Sequence, residues 1–448
     1  MRSAHYIAWL LTASLIASVA LPVALSALGG QGFQSAAAAE QKKPSQRPRK
    51  TRRIPTMSER TFKKLAAVQE AIDLKDYLLA HKLLRDMEGR KGMNGNELGQ
   101  IYNMQAYVYF SQEDYEGAIR SYERVVAQGD KVPEGLEVGT IYSLAQLYFV
   151  TERYQKALDS MELWLSKADN PGPDPHIFMG QVYYQMKDYR RAVPQIQQGI
   201  SIAQERGTAV KENWWQLLRY LYYEQENNPK VIEILEILIV DFPKREYWVQ
   251  LAGMYGEEGY EKKQVYAMET AHVGGFLTKQ NDLLSYSGLL MQEEVPYRSA
   301  KWLSKAMDDE IVEETSKNLQ MLGQAWQLAQ EVDEAIPVFR QAAKKSDDGE
   351  IYARLAQLYL EKDQYKSCVK AADDALRKGG LKKSQTTHIV RGMCLFNNDR
   401  LTAARVAFVE AGRIARLRKD NANQRMTRQW VRYIDGEKKR RAALAASI

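Results

Sequence analysis

Residues 101–126 read IYNMQAYVYFSQEDYEGAIRSYERVV. The pattern returns at 141–165 as IYSLAQLYFVTERYQKALDSMELWL and at 351–376 as IYARLAQLYLEKDQYKSCVKAADDAL. In each, a small residue (Ala106, Ala145, Ala356) is followed by Tyr three places later, Tyr nine places later and a second small residue twelve places later. Apolar residues recur at helical spacing on both sides of a short polar break, which predicts two helices, A and B, joined by a tight turn. The first small residue lets helix A approach its helix B. The second lets helix B approach the next helix A.

The spacing continues outward along the chain. First places fall at Val68, Ala106, Ala145, Gly180, Arg219, Ala252, Gly288, Gly323, Ala356 and Gly392. Their partners twelve later are Ala80, Ala118, Ala157, Ala192, Val231, Gln264, Ala300, Ala335, Cys368 and Ala404. The units with Arg219, Gln264 and Gly288 match least well. This pattern resembles the tetratricopeptide repeat, a 34-residue helix–turn–helix unit. The resemblance implies an all-α right-handed superhelix of about ten repeats over 58–411. One repeat cannot bury its own apolar face, so neighbours share one continuous core. Tyr109, Tyr148, Tyr183, Tyr222, Tyr255, Trp326 and Tyr359 are expected between helices. Tyr77, Tyr115, Tyr154, Tyr189, Tyr297 and Tyr365 are expected over the turn before helix B. Asp76, Asp114 and Asp188 stand where helix B needs an N-cap. Pro194 and Pro337 are expected to bend helix B near its start without ending it.

The ends differ from the body. Of 448 residues, 45% are apolar, which excludes wholesale disorder. The net charge is +7, but seven cations and no acid lie in 41–55. Residues 412–448 hold eleven cations and three acids, leaving the body acidic. An apolar stretch from Ile7 to Leu28, followed by Ala37 and Ala39 in an A-x-A arrangement, reads as a signal peptide over 1–39. An uncleaved membrane anchor is the alternative. Residues 40–57, with three prolines, read as an extended basic linker. Residues 412–448 read as a basic capping helix, with Met426, Trp430, Tyr433 and Ile434 on its packed face and Arg425, Arg428 and Arg432 on the other.

Catalytic signatures are missing. The chain has no Gly-rich phosphate loop, GxSxG elbow or HExxH. The five histidines are scattered, so neither an enzyme, a metal site nor a cofactor is expected. Cys368 and Cys394 fall on helices that should be neighbours. Either they form a disulfide in an oxidising compartment, or Cys368 serves as the small residue of its repeat. The functional surface is expected on the concave, helix A side, at places the core does not need: Asn103, Tyr107, Phe110, Tyr142, Gln146, Phe149, Gln181, Tyr184, Gln216, Tyr220 and Tyr223. Aromatics beside amides suit a peptide or helix from a partner. The alternative is that some of these rings pack inside the superhelix.

Several runs carry a narrower resemblance: MSERTFKKLAAVQEAIDLKDY from Met57, NGNELGQIYNMQAYVYFSQEDYEGAI from Asn94, NPGPDPHIFMGQVYYQMKDY from Asn170, KENWWQLLRYLYYEQEN from Lys211 and LGQAWQLAQEVDEAIPVF from Leu322. They resemble the periplasmic tetratricopeptide proteins found with gammaproteobacterial TonB–ExbB–ExbD systems. That resemblance implies a periplasmic, non-catalytic scaffold accessory to TonB-dependent uptake of iron complexes, with TonB, ExbD or an outer-membrane receptor as partner. It brings no functional residues with it. A scaffold for cell-wall or outer-membrane assembly and binding to an anionic surface through the basic ends are the alternatives. Export makes nucleic acid a poor partner.

Overall fold

The computed structural model describes residues 52–446. The expected signal segment and residues 40–51 lie outside the described residues. Every regular element described is helical, as expected: 21 α-helices and one 3-10 turn at Gly129–Lys131. They form two compact units, one ending at Glu226 and the other starting at Asn227. The first unit holds α1 (Glu59–Asp73), α2 (Tyr77–Glu88), α3 (Gly95–Ser111), α4 (Tyr115–Val126), α5 (Glu134–Val150), α6 (Tyr154–Lys167), α7 (Asp174–Gln185), α8 (Tyr189–Glu205) and α9 (Glu212–Glu224). The second holds α10 (Asn228–Asp241), α11 (Arg245–Glu257), α12 (Glu261–Val273), α13 (Gln280–Gln292), α14 (Pro296–Asp308), α15 (Ser316–Leu328), α16 (Val332–Lys345), α17 (Glu350–Glu361), α18 (Tyr365–Lys378), α19 (Ser384–Asn397), α20 (Leu401–Leu417) and α21 (Asn421–Ala446). Odd-numbered helices up to α19 are A helices and even-numbered ones are B helices. Each unit is an α-solenoid of such helices. The boundary falls in the turn of the fifth pair, where Arg219 stands in the place of a small residue.

The A-to-B turn is the same ten times. The residue two before each helix B has positive φ: Lys75, Glu113, Glu152, Lys187, Glu226, Gly259, Glu294, Gln330, Asp363 and Asp399. Only one is glycine, so the other nine carry the cost of a left-handed residue, about 1 kcal/mol each. In the turns other than the fifth, the following residue donates its backbone N–H to the carbonyl at the third place of helix A, as Asp114 does to Tyr109 and Gln364 to Tyr359. Such bonds satisfy carbonyls that a helix end leaves open. Asp76, Asp114 and Asp188 cap the next helix, accepting from Leu79, Gly117 and Arg191 N–H. Helices α8 and α16 run on through Pro194 and Pro337.

This turn corrects one register. Glu294 and the bond from Val295 N–H to Leu290 place the small pair of α13 and α14 at Ser287 and Ser299, not at Gly288 and Ala300. Both serines are buried and their hydroxyls are hydrogen-bonded at 2.6 Å. The hydroxyl of Ser299 also reaches the Ser287 carbonyl at 2.9 Å. Satisfying both hydroxyls removes most of the penalty of burying them. Tyr297 is therefore the second residue of α14, largely exposed, with one edge on Trp326.

Contact between repeats rests on the third-place aromatics. Tyr148, Tyr183, Tyr222, Tyr255, Trp326 and Tyr359 are buried. Four of the hydroxyls pair with the preceding helix B. Tyr148 donates to Glu123 (2.5 Å) and Tyr255 to Glu236 (2.6 Å), while Tyr222 accepts from Gln197 (2.9 Å) and Tyr359 from Arg340 (2.9 Å). Burial and then the adjacent carboxylates push Tyr148 and Tyr255 far above the usual phenol range. The hydroxyls stay neutral and donating.

The described end of the expected linker is docked. Arg52 forms an ion pair with Glu137 at 2.6 Å, and Lys167 holds the other Glu137 oxygen at 3.1 Å. Asn94 and Asn96 donate to the carbonyls of Thr56 and Pro55. Glu97 closes a capping box with Asn94 and also accepts from the N–H and hydroxyl of Ser58, the cap of α1. One carboxylate thus serves two helix starts. Composition alone reads this stretch as having nothing to bury, but its polar groups are matched by residues some 40 to 85 positions away.

The C-terminal helix caps the stack through a seam shifted from the expected one. Trp430 lies flat on Phe408 with centroids 5.0 Å apart, and Ile434 and Thr427 are buried. Met426 and Tyr433 are exposed, because each lies one residue, about 100°, off the 427–430–434 line. Arg425, Arg428 and Arg432 are exposed, as expected.

Cys368 of α18 and Cys394 of α19 form a disulfide, with Cα atoms 6.1 Å apart. Both are fully buried. Replacing both by Ala should lower the stability of the last repeats by about 2–4 kcal/mol. Non-reducing peptide mapping should find the linked pair, and denaturant melts of the double variant give the loss.

Glu97 supplies a second test. Burial raises its pKa, but the N–H groups of Ser58 and Asn94 and the Ser58 hydroxyl outweigh that and hold it at about 2. A depressed carboxylate contributes stability above its unfolded pKa and loses it as pH falls through the folded one. Amide-exchange protection of α1 and α3 should therefore fall by about 2 kcal/mol between pH 4.5 and 2, after a discount for solvent screening. In Glu97→Gln, protection should start lower at neutral pH and change less over that window.

Candidate partner-binding face

The A helices of the first unit carry the expected residues. Asn103, Tyr107 and Phe110 lie on α3, and Tyr142, Gln146 and Phe149 on α5. Gln181 and Tyr184 lie on α7, and Gln216, Tyr220 and Tyr223 on α9. All are half-buried except Tyr223, which is 45% exposed.

The rings are shared between packing and surface. Phe110, Phe149 and Tyr184 each rest on the first residue of their own helix B, Tyr115, Tyr154 and Tyr189, at 6.0–6.2 Å between centroids. Phe149 also meets Phe178, and Tyr184 meets Tyr220, both at 5.6 Å and edge-on. Tyr142 meets Trp164 at 5.4 Å. Edge-on contacts of this kind are worth about 0.5–1.5 kcal/mol each beyond area. The rings therefore form a preorganised seam along the repeats, each with a remaining edge open. Sequence reading offered surface or packing as alternatives, and the rings do both.

The polar groups divide in the same way. Gln216 donates to Glu212 at 3.1 Å. The side-chain amides of Asn103, Gln146 and Gln181 have no hydrogen-bond partner among the described residues. Each offers two donors and an acceptor at the half-buried face. Burial raises the phenols of Tyr142 and Tyr184, and burial followed by Glu224 raises that of Tyr220. Negative charge reaches these residues from Asp174 near Tyr142, Glu212 beside Gln216 and Glu224 beside Tyr220.

The second unit presents different chemistry at the equivalent places. Gly253 and Gly288 leave bare helix, since a Cβ built at Gly253 meets nothing and one at Gly288 only reaches Met321 at 3.7 Å. Further on, Gln327 accepts from Arg354 at 2.8 Å. On the helix B side lies a groove of about 780 Å³ between α14 and α16, lined by Tyr297, Trp302 and Trp326 with Lys301, Lys305 and Glu331. Sequence reading missed it because Tyr297 was assigned to the turn.

The four described histidines serve packing. His81 pairs with Gln112 and His176 with Gln195. Burial lowers the pKa of His272 and of His388. No group of three metal-ligating side chains comes together among the described residues.

Residues 103–173 match the tetratricopeptide repeat family. This stretch consists of tetratricopeptide repeats. It spans α3 to α6 and the loop before α7, and the same small places and turns recur in the pairs on either side. No curated protein sequence matches the chain. Among solved structures, the chain is similar to MamA at 18% identity, covering 37% of this chain and 91% of that one, with a TM-score of 0.31. A tetratricopeptide repeat protein from Parabacteroides merdae matches at 14% identity, covering 59% and 99%, with a TM-score of 0.32. YrrB, described as a TPR protein with an unusual peptide-binding site, matches at 15% identity, covering 38% and 83%, with a TM-score of 0.30.

Proposed function

We propose that the chain is a non-catalytic, periplasmic scaffold that holds a protein partner on the helix A face of its first unit. We assign its role as accessory to TonB-dependent energy transduction and uptake of iron complexes. The observation that carries the binding role is the seam of rings on α3, α5, α7 and α9 beside the unpaired amides of Asn103, Gln146 and Gln181 on α3, α5 and α7. Preformed aromatic edges bind at low entropic cost, and the amides fix the register of an extended or helical segment. The periplasmic assignment is supported by the exported character of the first 39 residues and by a buried disulfide, which persists in an oxidising compartment. The TonB assignment is supported by the runs that resemble proteins of that setting.

The test is in-cell photocrosslinking from position 181 of the full chain, with mass spectrometry of what is trapped. Adducts with TonB, ExbD or a TonB-dependent receptor are expected. Tyr220→Ala combined with Tyr223→Ala should cut capture at least tenfold with helicity unchanged, since aromatic anchors contribute about 1–2 kcal/mol each. Adducts confined to cell-wall assembly factors would overturn the TonB role. Unchanged capture by the double variant would overturn the face.

A further inference from the structure

The outward side of α21 carries two parallel stripes. Arg425, Arg428, Arg432 and Lys439 follow at steps of three, four and seven, which puts them on one line about 21 Å long. All four are exposed, and none is paired with a carboxylate among the described residues. The other cations nearby are engaged: Arg440 and Arg441 with Glu437, Arg405 with Asp435, and Lys438 with the Thr402 hydroxyl. The four on the line make no ion pair, although Lys439 helps to lower the pKa of Asp435 and Arg428 donates to the Gln424 carbonyl at 3.3 Å.

Beside that line, one residue further on, stand Met426 and Tyr433, 37% and 58% exposed. The seam runs through Thr427, Trp430 and Ile434; Tyr433 touches its edge, meeting Phe396 at 5.6 Å and Trp430 at 6.0 Å, and keeps most of its surface exposed. Residues 441–445 are exposed, Leu444 among them, while Arg441 still reaches Asp399. Cations flanked by exposed apolar and aromatic groups are what a surface-lying helix offers a bilayer: charge for the headgroup phosphates, and Tyr and Met for the interfacial layer. An acidic polypeptide would satisfy the cations but give Met426 and Tyr433 nothing to enter. No described helix is long and apolar enough to cross a membrane, so the contact would be peripheral. We propose that the outward face of α21 docks on an anionic phospholipid surface through Arg425, Arg428, Arg432 and Lys439, with Met426 and Tyr433 in the interface.

The test reads the contact locally, so the apolar N-terminal stretch does not obscure it. The full chain, carrying a benzophenone side chain in place of Tyr433, is irradiated with phosphatidylcholine vesicles. A second set of vesicles has a third of its lipid as phosphatidylglycerol. Lipid adducts on the peptide holding position 433 are expected only with phosphatidylglycerol. Each cation near such a surface is worth about 1 kcal/mol, roughly fivefold. Changing all four to Gln should lower adduct yield by more than tenfold. Changing the three arginines to Lys should retain it, which separates loss of charge from loss of fold. Equal adducts with neutral vesicles, equal adducts from the Gln variant, loss in the Lys variant, or trapping of a second copy instead of lipid would each overturn the proposal.

Discussion

The stack depends on a fit between a small place and a large one. In three repeats, the side chain four residues after the small place of helix B meets helix A at its own small place, which is glycine. Gly180 faces Ile196, Gly323 faces Phe339 and Gly392 faces Phe408, and a Cβ at any of the three would come within about 3 Å of the facing side chain. Where the facing residue is only Ala372, the A place is Ala356. Close-packed interiors tolerate little change in volume, so this match fixes how far apart the two helices lie and at what angle.

Everything else is built on that spacing. With A and B held together, the third-place aromatic emerges toward the preceding repeat, and in four repeats its hydroxyl finds that repeat's helix B. After the first repeat, the helix A positions one and four places past the small residue are only partly used by the core. In the first unit they carry rings and amides, and in the second they carry Gly253, Gly256 and Gly288, then Gln324, Gln327 and Gln357, with Met291, Leu360, Met393 and Phe396 among them. Binding chemistry can therefore vary along the chain while the helix-pair geometry stays constant. At the N-terminal end Glu97 and the Arg52–Glu137 pair hold the entering chain against the first repeats. At the C-terminal end Trp430 closes the apolar surface.

Local periodicity made most of the fold legible. The twelve-residue spacing located nearly every helix pair, and the aspartates before helix B marked their own caps. The reading failed at Gly288 because glycine and alanine look like the smallest pair available. Ser287 and Ser299 are nearly as small once their hydroxyls satisfy each other, and only the turn geometry reveals them. It failed at residues 52–57 because composition cannot see partners in distant helices. It misplaced Met426 and Tyr433 because helical spacing gives a broad apolar arc, while docking on Phe408 selects a narrow line within it. The dual duty of Phe149 and Tyr184 was out of reach for the same reason: neighbouring rings lie some thirty residues apart in sequence.

The matched small and large places are tested most directly by a double-mutant cycle at Gly323 and Phe339. A methyl at 323 would press on three atoms of a fully buried ring at 3.0 Å. Gly323→Ala should therefore destabilise by about 1–3 kcal/mol, despite alanine's better helix propensity. Phe339→Leu alone should also destabilise. Together they should cost at least about 1 kcal/mol less than the sum, because the smaller side chain makes room for the methyl. Additive costs, or a Gly323→Ala variant as stable as the parent, would contradict the account.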